Sequence, residues 1–157
     1  MSSHYHDFIE KFGEITTPGV RRNSQKPGPP LKVLEGEDIL LEEHIYNLTL
    51  NQYPLELVCT TKEKCCLPFT YLWVADPDGL KIILEKTPVE SERKHACPTN
   101  ITGGKPAYHG GELWFFSKTS IYLNHSSGRY NYGTDEEKQA VVNYFISLGF
   151  DVEVDEY

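Results

Sequence analysis

The chain has 157 residues, enough for one domain with its own apolar core. Ten Tyr, seven Phe and two Trp exclude a wholly disordered chain, and no apolar run approaches a membrane span in length. A formal charge of −8 disfavours generic binding to nucleic-acid phosphates or anionic membranes.

The first residues, MSSHYHDFIEKF, place charges and histidines where a secretory signal needs an apolar stretch. A cytoplasmic setting is therefore expected, with export only if the chain is delivered as an effector. Tyr5, Phe8, Ile9 and Phe12 fall at helical spacing and predict a short N-terminal amphipathic helix. The following TTPGVRRNSQKPGPP is rich in Pro, Gly and polar residues and predicts an extended or mobile connector. Residues 1–30 are thus read as helix plus connector, and residues 31–157 as the folded domain.

Within that domain Leu31–Leu34 and Leu55–Thr60 read as strands, while Asp38–Leu50 begins helix-like and ends β-like. Phe69–Ala75 and Leu80–Glu85 flank Asp76-Pro77-Asp78-Gly79. There Pro fixes φ and Gly accepts φ > 0, so the segment predicts a hairpin. A second hairpin pairs Glu112–Phe116 with Ile121–Leu123 across Ser117-Lys118-Thr119. Thr134 and Glu137 spell a capping box. Val141, Tyr144, Phe145 and Leu148 supply one apolar helix face, and Gly149 supplies the stop. Phe150–Val154 returns as a last strand. The pattern predicts a single α+β domain of antiparallel β-hairpins with a C-terminal helix.

Vicinal Cys65-Cys66 makes an awkward disulfide framework, so Cys59, Cys65, Cys66 and Cys97 read as reduced core thiols. A zinc set can be drawn from Cys59, Cys65 or Cys66, His95 and Cys97, but its spacing matches no C-x-x-C knuckle and no metal is assigned. Sequons at Asn47, Asn100 and Asn124 would matter only on a secretory route.

Charge is unevenly spread. From Lys86 to Tyr130 six Lys/Arg stand against three acids, a local +3 that leaves −11 for the rest of the chain. Within it, Gly103–Tyr130 is chemically the densest stretch: glycine loops that let backbone amides approach a ligand flank a short hairpin. Glu112, after Gly110-Gly111, can act as a general base or face a developing positive charge. His95 is a second catalytic candidate. Lys105 and Arg129 could hold an anion, and Tyr108 or Tyr130 could stack on a base. His109 adds a further ligand-binding candidate, while Ser127 and Gly128 could shape an anion nest. Each has a plainer alternative: a Glu at a strand start commonly meets water or a Lys, and a Ser/Gly loop often only turns the chain. No P-loop, Ser–His–Asp or paired-carboxylate signature occurs.

The order Gly103-Gly104-Lys105-Pro106-Ala107, Gly110-Gly111-Glu112-Leu113 and Asn124 through Ser127-Gly128-Arg129-Tyr130 resembles C-terminal modules of bacterial polymorphic toxins and related effectors. The likeness spans residues 94–152 and departs from the pattern where Arg129 stands for the commoner His. Through the company such modules keep, it implies a nucleotide ligand and NAD-consuming chemistry, of ADP-ribosyltransferase or NAD glycohydrolase type, as an association; no cofactor is specified. The second reading is a non-catalytic acidic protein that covers a basic protein partner or senses a small anion.

Overall fold

The structure, a computed structural model, describes residues 3–19, 36, 38–48, 69–88, 95–127 and 129–154. The expected strands at Leu31–Leu34 and Leu55–Thr60 lie outside them, as do Cys59, Cys65, Cys66 and Gly128. In chain order the described elements are α1 (Ser3–Ile9), a 3₁₀ turn (Glu42–His44), β1 (Tyr46–Asn47), β2 (Tyr71–Asp76) and β3 (Gly79–Leu84). There follow α2 (Pro98–Thr102), β4 (His109–Phe115), β5 (Ser120–Leu123), α3 (Asp135–Ser147) and β6 (Asp151–Val154). The ambiguous segment from Asp38 onward thus resolves into a short helical turn followed by a short strand.

The strands form one mixed sheet in the order β1-β3-β2-β4-β5-β6. All neighbours pair antiparallel except β5 and β6, which run parallel. Parallel pairing needs a crossover connection, and α3 supplies it. β2 sits third in this order and is buried at every position, so both sheet faces are covered. Alternation sends Tyr71, Trp73 and Ala75 to one face and Leu72 and Val74 to the other. The first face packs with Leu113, Phe115, Ile121 and Leu123 against Val141, Tyr144 and Phe145 of α3 and Tyr5 of α1. The second packs with Ile83 against Ile101 of α2, Ala107 and Tyr130. Burial on this scale follows from the aromatic content, since each large ring removes 150–250 Å² from water.

Local chemistry sets the turns. Asp76 Oδ1 accepts hydrogen bonds from the amides of Asp78 and Gly79, at 2.8 and 3.0 Å, closing the first hairpin. Its Oδ2 meets Lys81 Nζ at 2.8 Å. α1 docks by its apolar face: the Tyr5 ring lies edge-on to Tyr144 at 4.9 Å, and the Tyr5 hydroxyl donates to the Asp76 carbonyl at 2.6 Å. Residues 16–19, at the start of the expected connector, are held on the domain. Thr16 and Ala107 exchange backbone hydrogen bonds, and the Gly19 amide donates to the Arg129 carbonyl. Along β6 the exposed Asp151 and Glu153 alternate with half-buried valines, a charge pattern that guards an open sheet edge.

The α3 boundaries follow their expected signals. Thr134 Oγ1 accepts from the Glu137 amide, and the Glu137 carboxylate returns to the Gly133 amide, one residue before the cap. At the other end Gly149 (φ +99°) donates to the Ile146 carbonyl and Phe150 donates to that of Phe145, the pairing of a Schellman stop. Gly149→Ala forces a Cβ into that left-handed conformation and is expected to cost about 1–2 kcal/mol. Urea unfolding of the two proteins measures it.

Candidate functional site

The two loops that bracket the β4–β5 hairpin interlock through Asn124. The Asn124 amide donates to the Glu112 carbonyl at 3.0 Å, as an antiparallel ladder requires. Its own carbonyl has left the ladder and accepts from Trp73 Nε1 at 3.0 Å. The side chain takes the vacated role: Asn124 Oδ1 accepts from the Glu112 amide at 2.9 Å and from the Ser126 amide at 3.0 Å. The Asn124 Nδ2 group then donates to Glu112 Oε1 at 3.1 Å. The carboxylate is therefore held by the residue that ends the next strand.

This crossing explains the glycine pair. A Cβ on Gly111 would overlap the Asn124 carbonyl, and one on Gly110 would stand 2.6 Å from the Trp73 carbonyl oxygen. The glycines permit close backbone approach within the sheet. The Ser/Gly loop likewise serves itself. Ser127 Oγ accepts from the Arg129 and Tyr130 amides at 3.3 and 3.1 Å, so these two donors, which an anion nest would offer outward, are engaged internally. Tyr130 is 0% exposed, and its hydroxyl donates to the Lys105 carbonyl at 2.6 Å while meeting Thr102 Oγ1 at 2.6 Å. Burial pushes that phenol up to about 12. Tyr130 is a core residue, and its ring has no face open for stacking on a base.

The other candidates disperse. Arg129 is buried. His109 is wholly interior, 5.7 Å from the Trp73 ring and 6.2 Å from Phe12, and Tyr108 is half-buried at 5.9 Å from Phe12. Lys105 is exposed and lines a hollow of about 290 Å³ whose lining includes none of Glu112, Ser127, Arg129 or Tyr130. His95 is exposed and bridges Pro88, bringing its strand segment beside the end of β3. The sequons at Asn100 and Asn124 are buried and fully employed. Asn100 Oδ1 accepts from the Cys97 amide and its Nδ2 donates to the Gly36 and Ile39 carbonyls. Among the described residues no group of three or more His, Cys, Asp or Glu could hold a metal ion.

Glu85, which the sequence reading passes over, completes the carboxylate site. Glu112 pairs with Leu72, and Leu72 with Ile83, so alternation places Glu112 and Glu85 on the second sheet face. Burial raises the Glu85 carboxyl above its ordinary range, and the charge of Glu112 raises it further. The Glu85 carbonyl accepts from the Ala96 amide at 3.0 Å, which tethers the His95 segment to the same end of the sheet. Two carboxyls 27 residues apart in the chain therefore share a face, one raised above its ordinary range and the other held by an amide. Such a pair can divide acid and electrostatic roles. Nothing in the linear spacing announces it.

No family model, curated protein or solved structure matches the chain.

On the first face, His125 lies 5.5 Å from Trp73 and 5.8 Å from His109, and neither of its ring nitrogens has a hydrogen-bond partner. Burial, aided by the charge of Lys138, lowers it to about 4. A histidine depressed below its unfolded value of 6.5 contributes no penalty at neutral pH and destabilises the fold as pH falls from 6.5 toward 4. From pH 7 to 5 this removes about 2 kcal/mol. Urea unfolding at both pH values should give a visibly smaller loss for His125→Phe than for wild type. Gly111→Ala, by contrast, should cost about 3 kcal/mol or more at every pH, read from the same unfolding curves.

Proposed function

We propose that the chain is a toxin- or effector-type domain that breaks the N-glycosidic bond of a nucleotide such as NAD, with Glu112 and Glu85 as the working carboxylates. The observation that carries this reading is their placement on one sheet face in unlike environments. The resemblance of residues 94–152 to toxin and effector modules supports the substrate class, as does the local positive charge of the segment that holds Glu112.

In this reading the C1′–N bond breaks, nicotinamide leaves with the electron pair, and positive charge develops at C1′. The Glu112 carboxylate, oriented by Asn124, faces that charge and accepts the proton of the attacking water. Glu85, its carboxyl raised by burial and by the charge of Glu112, lies on the same face and in its protonated form donates a hydrogen bond to a ribose oxygen. The products are nicotinamide, ADP-ribose and a proton. Orientation of this kind contributes because the Asn124 bonds are already made before substrate arrives.

A non-catalytic reading rests on a different observation: Arg129, His109 and Tyr130, which the sequence offers for ligand binding, are buried in the fold. The acidic surface outside the basic segment would then meet a cationic protein partner.

Incubation with NAD decides between them. Nicotinamide release is expected from the wild type and at least about 100-fold slower from Glu112→Gln, for loss of a charge that stabilises the transition state. The rate should fall as pH rises through the raised range of Glu85 and it loses its proton, and Glu85→Gln, permanently neutral and still a donor, should flatten that limb. If the wild type releases no nicotinamide, or Glu112→Gln matches it with an unchanged unfolding midpoint, the glycosidic reading is wrong.

A further inference from the structure

The hollow that Lys105 lines lies between the first hairpin turn and the loop after α2, with Ile15, Leu40 and Ile101 forming an apolar wall. Its volume of about 290 Å³ sits at the lower end of ligand sites, the size of a small metabolite rather than a dinucleotide. Among the described residues four charged side chains line it: Asp76, Asp78, Lys81 and Lys105. Asp76 and Lys81 neutralise one another at 2.8 Å. Neither the Asp78 carboxylate nor the Lys105 ammonium makes an ion pair among the described residues.

One uncompensated charge of each sign selects the ligand class. A simple carboxylic acid would satisfy Lys105 and leave Asp78 facing it, and a simple amine would do the reverse. A zwitterion answers both, and like-charge juxtaposition works against the alternatives. Ile15 and Leu40, 44% and 50% exposed, offer apolar surface that an aliphatic side chain would cover. The frame is held in place before binding. Asp76 is fixed by the hairpin amides and by Tyr5 through its carbonyl, and the Lys105 backbone by the Tyr130 hydroxyl. We propose that this hollow binds a free α-amino acid with an aliphatic side chain, its carboxylate on Lys105 and its ammonium on Asp78. The site is separate from the carboxylate pair and independent of the glycosidic reading.

Titration calorimetry of the full chain with L-leucine tests it. Saturable one-to-one binding is expected, weakened at least about tenfold by acetylating the amine, by amidating the carboxylate, or by replacing leucine with glycine. Asp78→Asn and Lys105→Met should each weaken leucine about tenfold or more. Because Asp78 and Lys105 are exposed and unpaired, both variants should keep the wild-type unfolding midpoint. Should leucine fail to bind at millimolar concentration, or bind no better than isovalerate, or bind equally to both variants, the proposal fails. Leucine binding to Glu112→Gln keeps the two proposals separable, since loss of nicotinamide release there would leave this site intact.

Discussion

The carbonyl of Asn124, turned out of the β-ladder onto the indole of Trp73, is the contact on which the middle of this fold depends. By leaving, it would strand the Glu112 amide inside the sheet, and a buried unpaired donor costs about 1–3 kcal/mol. The Asn side-chain oxygen restores that bond, which only a short amide or carboxylate at this position could reach. An amide is the better choice, because its Nδ2 also donates to the Glu112 carboxylate, whereas an Asp would set two negative charges face to face. The crossing then demands a glycine at 111. One backbone deviation thus dictates three residue types and orients the acid.

The same contact reorganises the meaning of the motif. Read linearly, Gly103-Gly104-Lys105, Gly110-Gly111-Glu112 and Asn124 through Tyr130 suggest loops converging on a ligand. In space they mostly converge on one another. The Gly110 amide donates to the Tyr130 carbonyl, Tyr130 reaches the Lys105 carbonyl, and Ser127 gathers the amides of its own loop. Buried polar groups must be paired somewhere, and here the partners are other parts of the pattern. A motif of glycines and hydrogen-bonding side chains can therefore record the needs of a backbone crossing as faithfully as those of a substrate.

What the sequence made legible was local. The Asp76–Gly79 turn, the Thr134 cap, the Gly149 stop and the apolar face of α3 each rest on contacts within a few residues, and each is where its signal points. The α+β class and both hairpins follow from them. The parallel docking of β6 on β5 was not legible, because pairing partners depend on which face α3 buries. Glu85 was missed for the same reason: its neighbour Glu112 lies 27 residues away and comes near only through β2. Tyr130 and His109 show the opposite case, for both lie wholly inside the fold. Polar aromatic residues look like ligand groups in a string of letters, and their burial depends on packing partners distant in the chain.

The unlike environments of the two carboxyls follow from where the sheet is covered. Leu72 and Ile83 bury the second face beneath α2 and Tyr130. Glu85 extends the Ile83 row and Glu112 lies beside Leu72, so both acids border that apolar surface. Glu112 has an amide donor, since Asn124 Nδ2 reaches its Oε1. Glu85 instead feels the charge of Glu112 added to its own burial, and both act to keep its proton on. The device that repairs the ladder is therefore also the one that fixes the Glu112 carboxylate in place on the face it shares with Glu85.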